Sequence, residues 1–234
     1  MTGPRSRAPR ATAVVVVAAA AGCLAGWGIS RSVRTARRSG VTDDEVAGAL
    51  PGDDLLPDAQ VVMDRAGSLP APASAVWPWL VQLGKGRGGW YLTRPIERFI
   101  PPRRRALRHL DARWQDLSVG DRIADYGARD PEFEVAVLQP PRTLVFSSAR
   151  RTRRGQIRVS WALVLDDQPG GSRLRLRLRL AGLHRPGLIV VVGGWFDDLT
   201  CRAMLAGLRE RLGHDPPVPL FVTPGRPPTA RSAR

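Results

Sequence analysis

The run RLRLRLRL, from Arg173 to Leu180, alternates arginine and leucine over eight residues. Successive side chains of a β-strand point to opposite faces, so the run predicts a strand with one leucine face and one arginine face. A slip of one residue would turn every arginine toward the covered side. The pattern therefore predicts a firmly set register in a sheet that buries the leucines.

Shorter alternating segments precede this run and extend the sheet. They lie at 122–126, 133–137, 143–148 and 157–165, and an earlier strand is expected within 58–69. Short turns such as Pro140-Pro141 and DDQPGG at 166–171 join the later segments. Strands joined by short turns pair antiparallel, so we predict an antiparallel sheet.

A long helix is predicted to close the fold. The apolar run GLIVVVGGWF at 187–196 leads into an amphipathic segment that ends near Gly213 and Pro216-Pro217. The positions expected to be buried are Phe196, Leu199, Leu205, Leu208 and Leu212. Because a sheet with one apolar face needs a covering layer, we predict an α+β fold with this helix across the leucine face.

The segment AVWPWLVQLGKGRGGWY at 75–91 starts with helical apolar spacing and breaks into four glycines before Trp90-Tyr91. One interpretation is a core helix with a glycine cap. The other is a helix followed by a gate loop at the mouth of a cavity. Its position before a run of strands and a long helix favours the gate loop.

These features resemble the START-like helix-grip superfamily (SRPBCC, polyketide cyclase and Bet v 1 type), and within it an uncharacterised actinobacterial branch. The resemblance covers 40–213. It is carried by the segment at 75–91, TDDEVAGALPGDDLLPDA at 42–59, RWQDLSVGD at 113–121 and MLAGLRERL at 204–212. Members often have an acidic-aromatic stretch and an His-Asn-Ala-Asp-like segment where this chain has the basic LTRPIERF (92–99) and ALRHLDAR (106–113).

The resemblance implies a curved antiparallel sheet wrapped around the C-terminal helix, with a cavity between them for an apolar ligand. Expected ligand contacts are Trp79, Leu83, Trp90, Tyr91, Tyr126, Phe133, Glu134, Trp161, Leu176, Leu178 and Leu199. Within this set, Tyr126 and Glu134 are the candidate polar groups. The implied function is non-catalytic binding of an apolar small molecule or lipid; the alternative is a polyketide cyclase or hydrolase in the same cavity.

Few residues suggest catalysis, and whether the chain is an enzyme stays open. The histidines are His109, His184 and His214, and none has the spacing of a metal site. The glycine loop follows a helix, whereas a phosphate-binding loop follows a strand. We therefore expect no metal, no cofactor and no assigned catalytic residue.

The N-terminus is predicted to reach a membrane. The net charge is +15, yet residues 1–40 hold seven arginines and no acids. Residues 1–10 are basic, and the uncharged stretch 11–29 supplies 19 residues, enough at about 1.5 Å each to cross a hydrocarbon core of about 30 Å. We predict a single-pass transmembrane helix at 11–30 in the cell membrane, with the domain on the cytoplasmic side. A cleaved signal peptide and a lipoprotein signal at Cys23 are the alternatives.

The remaining segments complete the expected organisation. Residues 31–57 form a connector whose Thr42 and Glu45 give a capping box for a short helix. The helix-grip domain covers 58–213, and the Pro/Arg-rich tail 214–234 is expected to be disordered. We expect the connector and the arginine face to be solvated, with anionic lipid as the other contact for the arginines. Nucleic acid is not expected as a partner because no nucleic-acid-binding motif is present.

Overall fold

The computed structural model describes residues 36–126, 131–153 and 155–213, and shows an α+β fold built on one curved sheet. Its strands are β1 (Arg38–Ser39), β2 (Val61–Leu69), β3 (Arg122–Ala124), β4 (Glu132–Gln139), β5 (Thr143–Thr152), β6 (Gly155–Gln168) and β7 (Gly171–Ala181). Their order across the sheet is β1-β2-β7-β6-β5-β4-β3. The five consecutive strands expected from the sequence are confirmed, most of them with longer ends.

The sheet is mixed, which corrects the prediction of a purely antiparallel sheet. β1 pairs parallel to β2, with Arg38 opposite Asp64 and Ser39 opposite Arg65. All other pairs are antiparallel. The sequence gives no sign of β1, because two residues are too few to show an alternation.

Helices lie before β2, between β2 and β3, and after β7. They are α1 (Asp43–Ala47), α2 (Ala73–Val81), α3 (Arg94–Glu97), α4 (Pro186–Leu188) and α5 (Gly194–Leu212), with 3₁₀ turns at Pro102–Arg104 and Ala112–Trp114. A π-helical turn, Ile189–Gly193, connects α4 to α5. Thr42 caps α1 as predicted: its hydroxyl accepts from the Glu45 amide, and the Glu45 carboxylate accepts from the Thr42 amide.

The inner face of the sheet carries the main core. Leu174 and Leu176 of β7 are buried there, together with Leu163 of β6. α2 and the second half of α5 cover them, with Trp79 and Met204 among the buried side chains. The predicted placement of the long helix against the leucine face is confirmed.

The outer face is also covered, which corrects the expectation of a solvated arginine row. The connector lies across it, and Arg177 is only 4% exposed. The Arg177 guanidinium pairs with Asp64 at 2.6 Å and Asp53 at 2.7 Å, and donates to the carbonyl of Gly48 at 3.0 Å. The carboxylates of Asp53 in the connector and Asp64 in β2 thus balance the charge of Arg177. The connector's backbone carbonyl at Gly48 accepts a further hydrogen bond from it.

Neighbouring arginines repeat this arrangement. Arg173 pairs with Glu45, and Arg179 with Asp53 at 3.2 Å. Gly52 lies so close to the sheet that a β-carbon there would come within 2.5 Å of Val145 Cγ1, and its φ of +89° also favours glycine. The connector is therefore an integral layer of the domain.

The predicted membrane span at 11–30 and the tail at 214–234 lie outside the described residues. Within 36–213, apart from the gaps at 127–130 and 154, no helix is long and apolar enough to cross a bilayer.

Candidate functional site

The described residues form an open cavity of about 1660 Å³ at the end of the sheet where β4, β5 and β6 meet the start of the C-terminal helix. Its lining comes from both faces of the sheet. Outer-face residues such as Ser147 and Ser160 meet Leu55 and Leu56 of the connector, and inner-face residues meet the helix start.

We call the inner-face part the inner cleft. Its apolar lining is Phe133, Ile157, Val159, Leu183, Leu188 and Ile189. Ile157 and Ile189 pack against a small second core of Val61, Met63, Leu183 and Val190, separate from the main core. The cleft therefore lies beside an apolar cluster at the end of the sheet, where the main core stops.

An aromatic block forms the edge of the main core beside the inner cleft. Trp161 stacks on Phe146 with ring centroids 5.7 Å apart and on Trp90 at 5.8 Å, and Phe133 lies 6.1 Å away. The Trp90 indole nitrogen donates to the carbonyl of Thr200 at 3.2 Å. This hydrogen bond connects the aromatic block to α5.

Polar groups stand at one side of the cleft. The Arg150 guanidinium lies 4.9 Å from the centre of the Phe133 ring and pairs with Asp125 at 2.7 Å. Beside Asp125, Tyr126 is 54% exposed, and partial burial raises its pKa while a hydrogen bond with the Trp90 backbone opposes the change. The Arg150 cation thus borders an apolar surface, an arrangement suited to a ligand with one polar end.

The sequence-predicted contacts divide between these regions. Phe133 and Glu134 line the cavity, but Glu134 is exposed on the outer face, because it pairs in register with Ser147. Trp90, Tyr126 and Leu178 are not part of the cavity lining; Leu178 is partly buried and contacts both cores. The buried positions are Trp79, Leu83, Tyr91, Trp161 and Leu176. Leu199 is 68% exposed on α5, away from the cavity lining.

The glycine loop packs against the domain and lines no part of the cavity. Gly84 and Gly89 form an antiparallel bridge, and Arg87 donates to the carbonyls of Val81 at 3.2 Å and Trp114 at 3.1 Å. A β-carbon on Gly89 would come within 2.7 Å of Ala106 Cα. The glycines thus serve close packing, as expected of a core segment and not of a gate, although the helix is capped by Gln82 and not by a glycine.

Tyr91 explains why the end of this segment belongs to the core. Its hydroxyl donates to the carbonyl of Trp79 at 2.7 Å, and the two rings meet edge to face at 5.6 Å. Burial raises the pKa of Tyr91 above its ordinary value. A fully buried, hydrogen-bonded tyrosine of this kind stabilises the fold and is closed to ligand.

A buried ionisable cluster lies elsewhere, between β2 and the start of α5, and the sequence reading missed it. Arg65 is 2% exposed on the inner face and pairs with Asp197 at 3.1 Å and Asp198 at 3.7 Å. Burial raises the pKa of Asp197, and burial and Asp197 raise that of the Cys201 thiol. The sequence could have indicated this cluster, because Arg65 shares the inward face of β2 with Met63 and Gly67.

The cavity lining includes His184 and the hydroxyls of Ser148 and Ser160. Ser148 Oγ donates to the carbonyl of Glu132 at 2.6 Å, and Ser160 Oγ to the carbonyl of Gly52 at 3.2 Å, so both hydroxyls are engaged with backbone. Among the described residues, no group of His, Cys, Asp and Glu side chains could hold a metal ion. The buried acids of α5 face Arg65 and lie outside the cavity lining.

Comparisons with known proteins add little. No family profile and no curated protein matches this chain. Among solved structures, MLL2253 from Mesorhizobium loti shares 16% identity over 65% of this chain and 96% of that one, with a TM-score of 0.42. CalU16 from Micromonospora echinospora shares 17% over 65% and 83%, with a TM-score of 0.36.

A third structure, DynU16, is described as a protein of the dynemicin biosynthetic locus. It shares 18% identity over 67% of this chain and 48% of that one, with a TM-score of 0.40. At these values the neighbours carry no argument about ligand or activity. The α+β architecture rests on this chain's own order of elements: a curved sheet and a long C-terminal helix that covers its inner face.

Proposed function

We propose that this protein is a non-catalytic binder of an apolar small molecule or lipid, which it holds in the inner cleft, and that its N-terminal apolar run attaches it to a membrane. The observation that carries the binding proposal is the cleft itself, an open space lined by Phe133, Ile157, Val159 and Ile189. An open cavity with an apolar lining and polar groups at its edge is typical of a ligand site.

The position of the cleft supports the same function. It lies between the sheet and the start of the long helix, beside the aromatic block at the edge of the main core. The site proposed from the structure therefore takes only the outer end of the cavity expected from the sequence. Membership of the actinobacterial branch and the cytoplasmic orientation stay part of this proposal.

The polar rim favours a ligand with a polar or acidic end. Arg150 is already paired with Asp125, so its charge is balanced before a ligand binds. A carboxylate or phosphate could share the guanidinium, because it presents five donors. The apolar lining would hold the body of such a ligand.

Filling the cleft tests the proposal. In Ile157→Trp, a bulky ring takes the space between β6 and the helix start. We expect the detergent-solubilised full-length protein to lose at least about tenfold in affinity for a fluorescent long-chain fatty acid, because a tenfold loss needs only about 1.4 kcal/mol of lost contact with the ligand. Direct titration of the probe's fluorescence gives the dissociation constant.

Leu55→Trp is the matched control, because Leu55 is 42% exposed and lines the outer-face part of the cavity. It should leave probe binding unchanged. Equal losses in the two variants, or wild-type binding in Ile157→Trp, would show that the inner cleft is not the site. Turnover of a bound ester probe that disappears in Ile157→Trp would instead support the enzyme alternative.

A further inference from the structure

The start of the C-terminal helix carries an apolar stripe that nothing in the described structure covers. It consists of Leu188, Val191, Val192, Trp195, Phe196 and Leu199, which are 42–68% exposed. Their spacing repeats every three or four residues, so they share one face of the helix. Phe196 and Leu199, which the sequence predicts to be buried, are each 68% exposed.

The opposite side of the same turns is firmly packed. Val190, Gly194, Asp198 and Cys201 are buried against the sheet and the chain that enters from the N-terminus. The helix cannot rotate its apolar stripe inward without exposing these residues. The stripe is therefore a fixed external surface.

Ala36, the first residue that the structure describes, contacts the helix at Gly194. The carbonyl of Ala36 lies so close to Gly194 that a β-carbon there would come within 2.4 Å of it. Arg65 Nη2 donates to the Ala36 carbonyl at 2.7 Å, and Arg202 Nη2 donates to Ser39 Oγ at 2.9 Å. The N-terminal chain thus joins the domain on the buried side of these helical turns, at the same level along the helix as the stripe.

The length of the preceding sequence limits how far the apolar run can be from the stripe. Six residues, 30–35, separate the uncharged stretch 11–29 from Ala36. Fully extended they span about 20 Å. If 11–29 enters a bilayer, the stripe is held at the bilayer surface.

We propose that the apolar stripe docks onto an anionic bilayer surface, so that the inner cleft opens toward the membrane. This inference rests on the membrane attachment in the proposed function. Leu188 belongs both to the stripe and to the lining of the cleft, so the two surfaces are continuous. A lipid-soluble ligand can then pass between bilayer and cleft without crossing water.

The composition of the surface favours lipid over protein as the occupant. Tryptophan and phenylalanine are favoured at the boundary between headgroups and acyl chains. Arg37, next to Ala36 in the chain, and Arg185, just before Leu188, are exposed. Basic residues around an apolar face match the negative surface of a membrane.

A fluorescent label at position 196 tests the docking. Full-length protein with Cys23→Ser and Phe196→Cys is labelled with an environment-sensitive dye and reconstituted into vesicles of phosphatidylcholine and phosphatidylglycerol. Cys201 is buried, and burial raises its thiol pKa, so it contributes little labelling; Cys23→Ser alone gives the background. We expect blue-shifted emission that brominated lipids quench.

The matched control is Phe99→Cys, because Phe99 is 81% exposed outside the stripe. Its label should show neither the shift nor the quenching. Leu199→Cys repeats the test if the first variant folds poorly. A label at 196 that behaves like the one at 99, or protein that does not float with vesicles, would overturn the proposal.

Other occupants give different results. A second copy would shift the emission in detergent as well, without quenching by lipid and with a doubled molecular mass. Cover by the chain's own N-terminal run would shift the emission at the monomer mass, and brominated lipids would not quench it. Either result overturns docking, whereas fatty-acid binding in detergent, measured on the same samples, reports separately on the proposed function.

Discussion

The two faces of β7 differ in chemistry and are both buried. Leu174 and Leu176 enter an apolar core, whereas Arg177 on the opposite face is almost as inaccessible at 4% exposure. The apolar face needs only side chains of suitable volume. The arginine face needs specific oxygens, which the acidic connector supplies through Asp53 and Glu45. A charged face can therefore be an interior face when the chain itself provides the counter-charges.

The strongest way to break the outer face is Arg177→Ala. The substitution leaves the buried carboxylate of Asp64 without its partner and frees the connector carbonyls. We expect the free energy of unfolding to fall by about 3–5 kcal/mol, the usual cost of removing one member of a buried ion pair. Urea-induced unfolding followed by tryptophan fluorescence measures the change.

Arg175→Ala is its control, because Arg175 pairs with Asp166, which is half exposed. Its loss should cost about 0–1 kcal/mol. Similar costs for the two variants would mean that the connector does not depend on the buried pair.

The inner face is broken by Leu174→Ala. Leu174 is 0% exposed, so the shorter side chain leaves a cavity, with an expected cost of about 2–5 kcal/mol. Leu178→Ala is the comparison, since Leu178 is partly buried between the two cores and should cost less. Thermal unfolding of both variants ranks them, and the reverse order would show that the main core does not end at Leu178.

Acid should weaken the outer face selectively. A hydrogen bond from Arg173 lowers the pKa of Glu45 from 4.5 to about 2. The stabilisation from a lowered carboxyl pKa is complete above the unfolded value and is lost as pH falls from about 4.5 to 2. Because Glu45 is partly solvated, we expect only about 1 kcal/mol.

Glu45→Gln isolates this contribution. The difference in unfolding free energy between wild type and variant should be constant above pH 5 and shrink toward zero at lower pH. A difference that does not depend on pH would assign the effect to packing of α1 and not to the charge of Glu45.

The sequence predicts the sheet well because alternation is a local signal. The register of Arg173–Leu180, the five strands from 122 onward and the capping box at Thr42 all depend on near neighbours in the chain. What covers each face depends on residues more than a hundred positions away, as with Arg177 and Asp53. No periodicity reports such a contact.

The candidate site was harder to predict for the same reason. Trp79 and Tyr91 have the residue types of a ligand pocket, but their partners are each other. Phe196 and Leu199 have the spacing of a buried helix face, yet they are exposed, because Val190 and Cys201 are on the side of the helix that packs against the sheet. Spacing identifies a face, and only the packed structure shows whether it points to core, ligand or solvent.

Arg65 determines which contacts bear the load when the chain before Ala36 is pulled. A pull on the chain before Ala36 is transmitted first to the Arg65 bonds with Ala36 and Gly194 and to the short β1–β2 pair. Those contacts must rupture before load reaches α1 and the connector behind it. The two-residue strand and Arg65 thus bear the load of the entering chain ahead of the outer layer of the sheet.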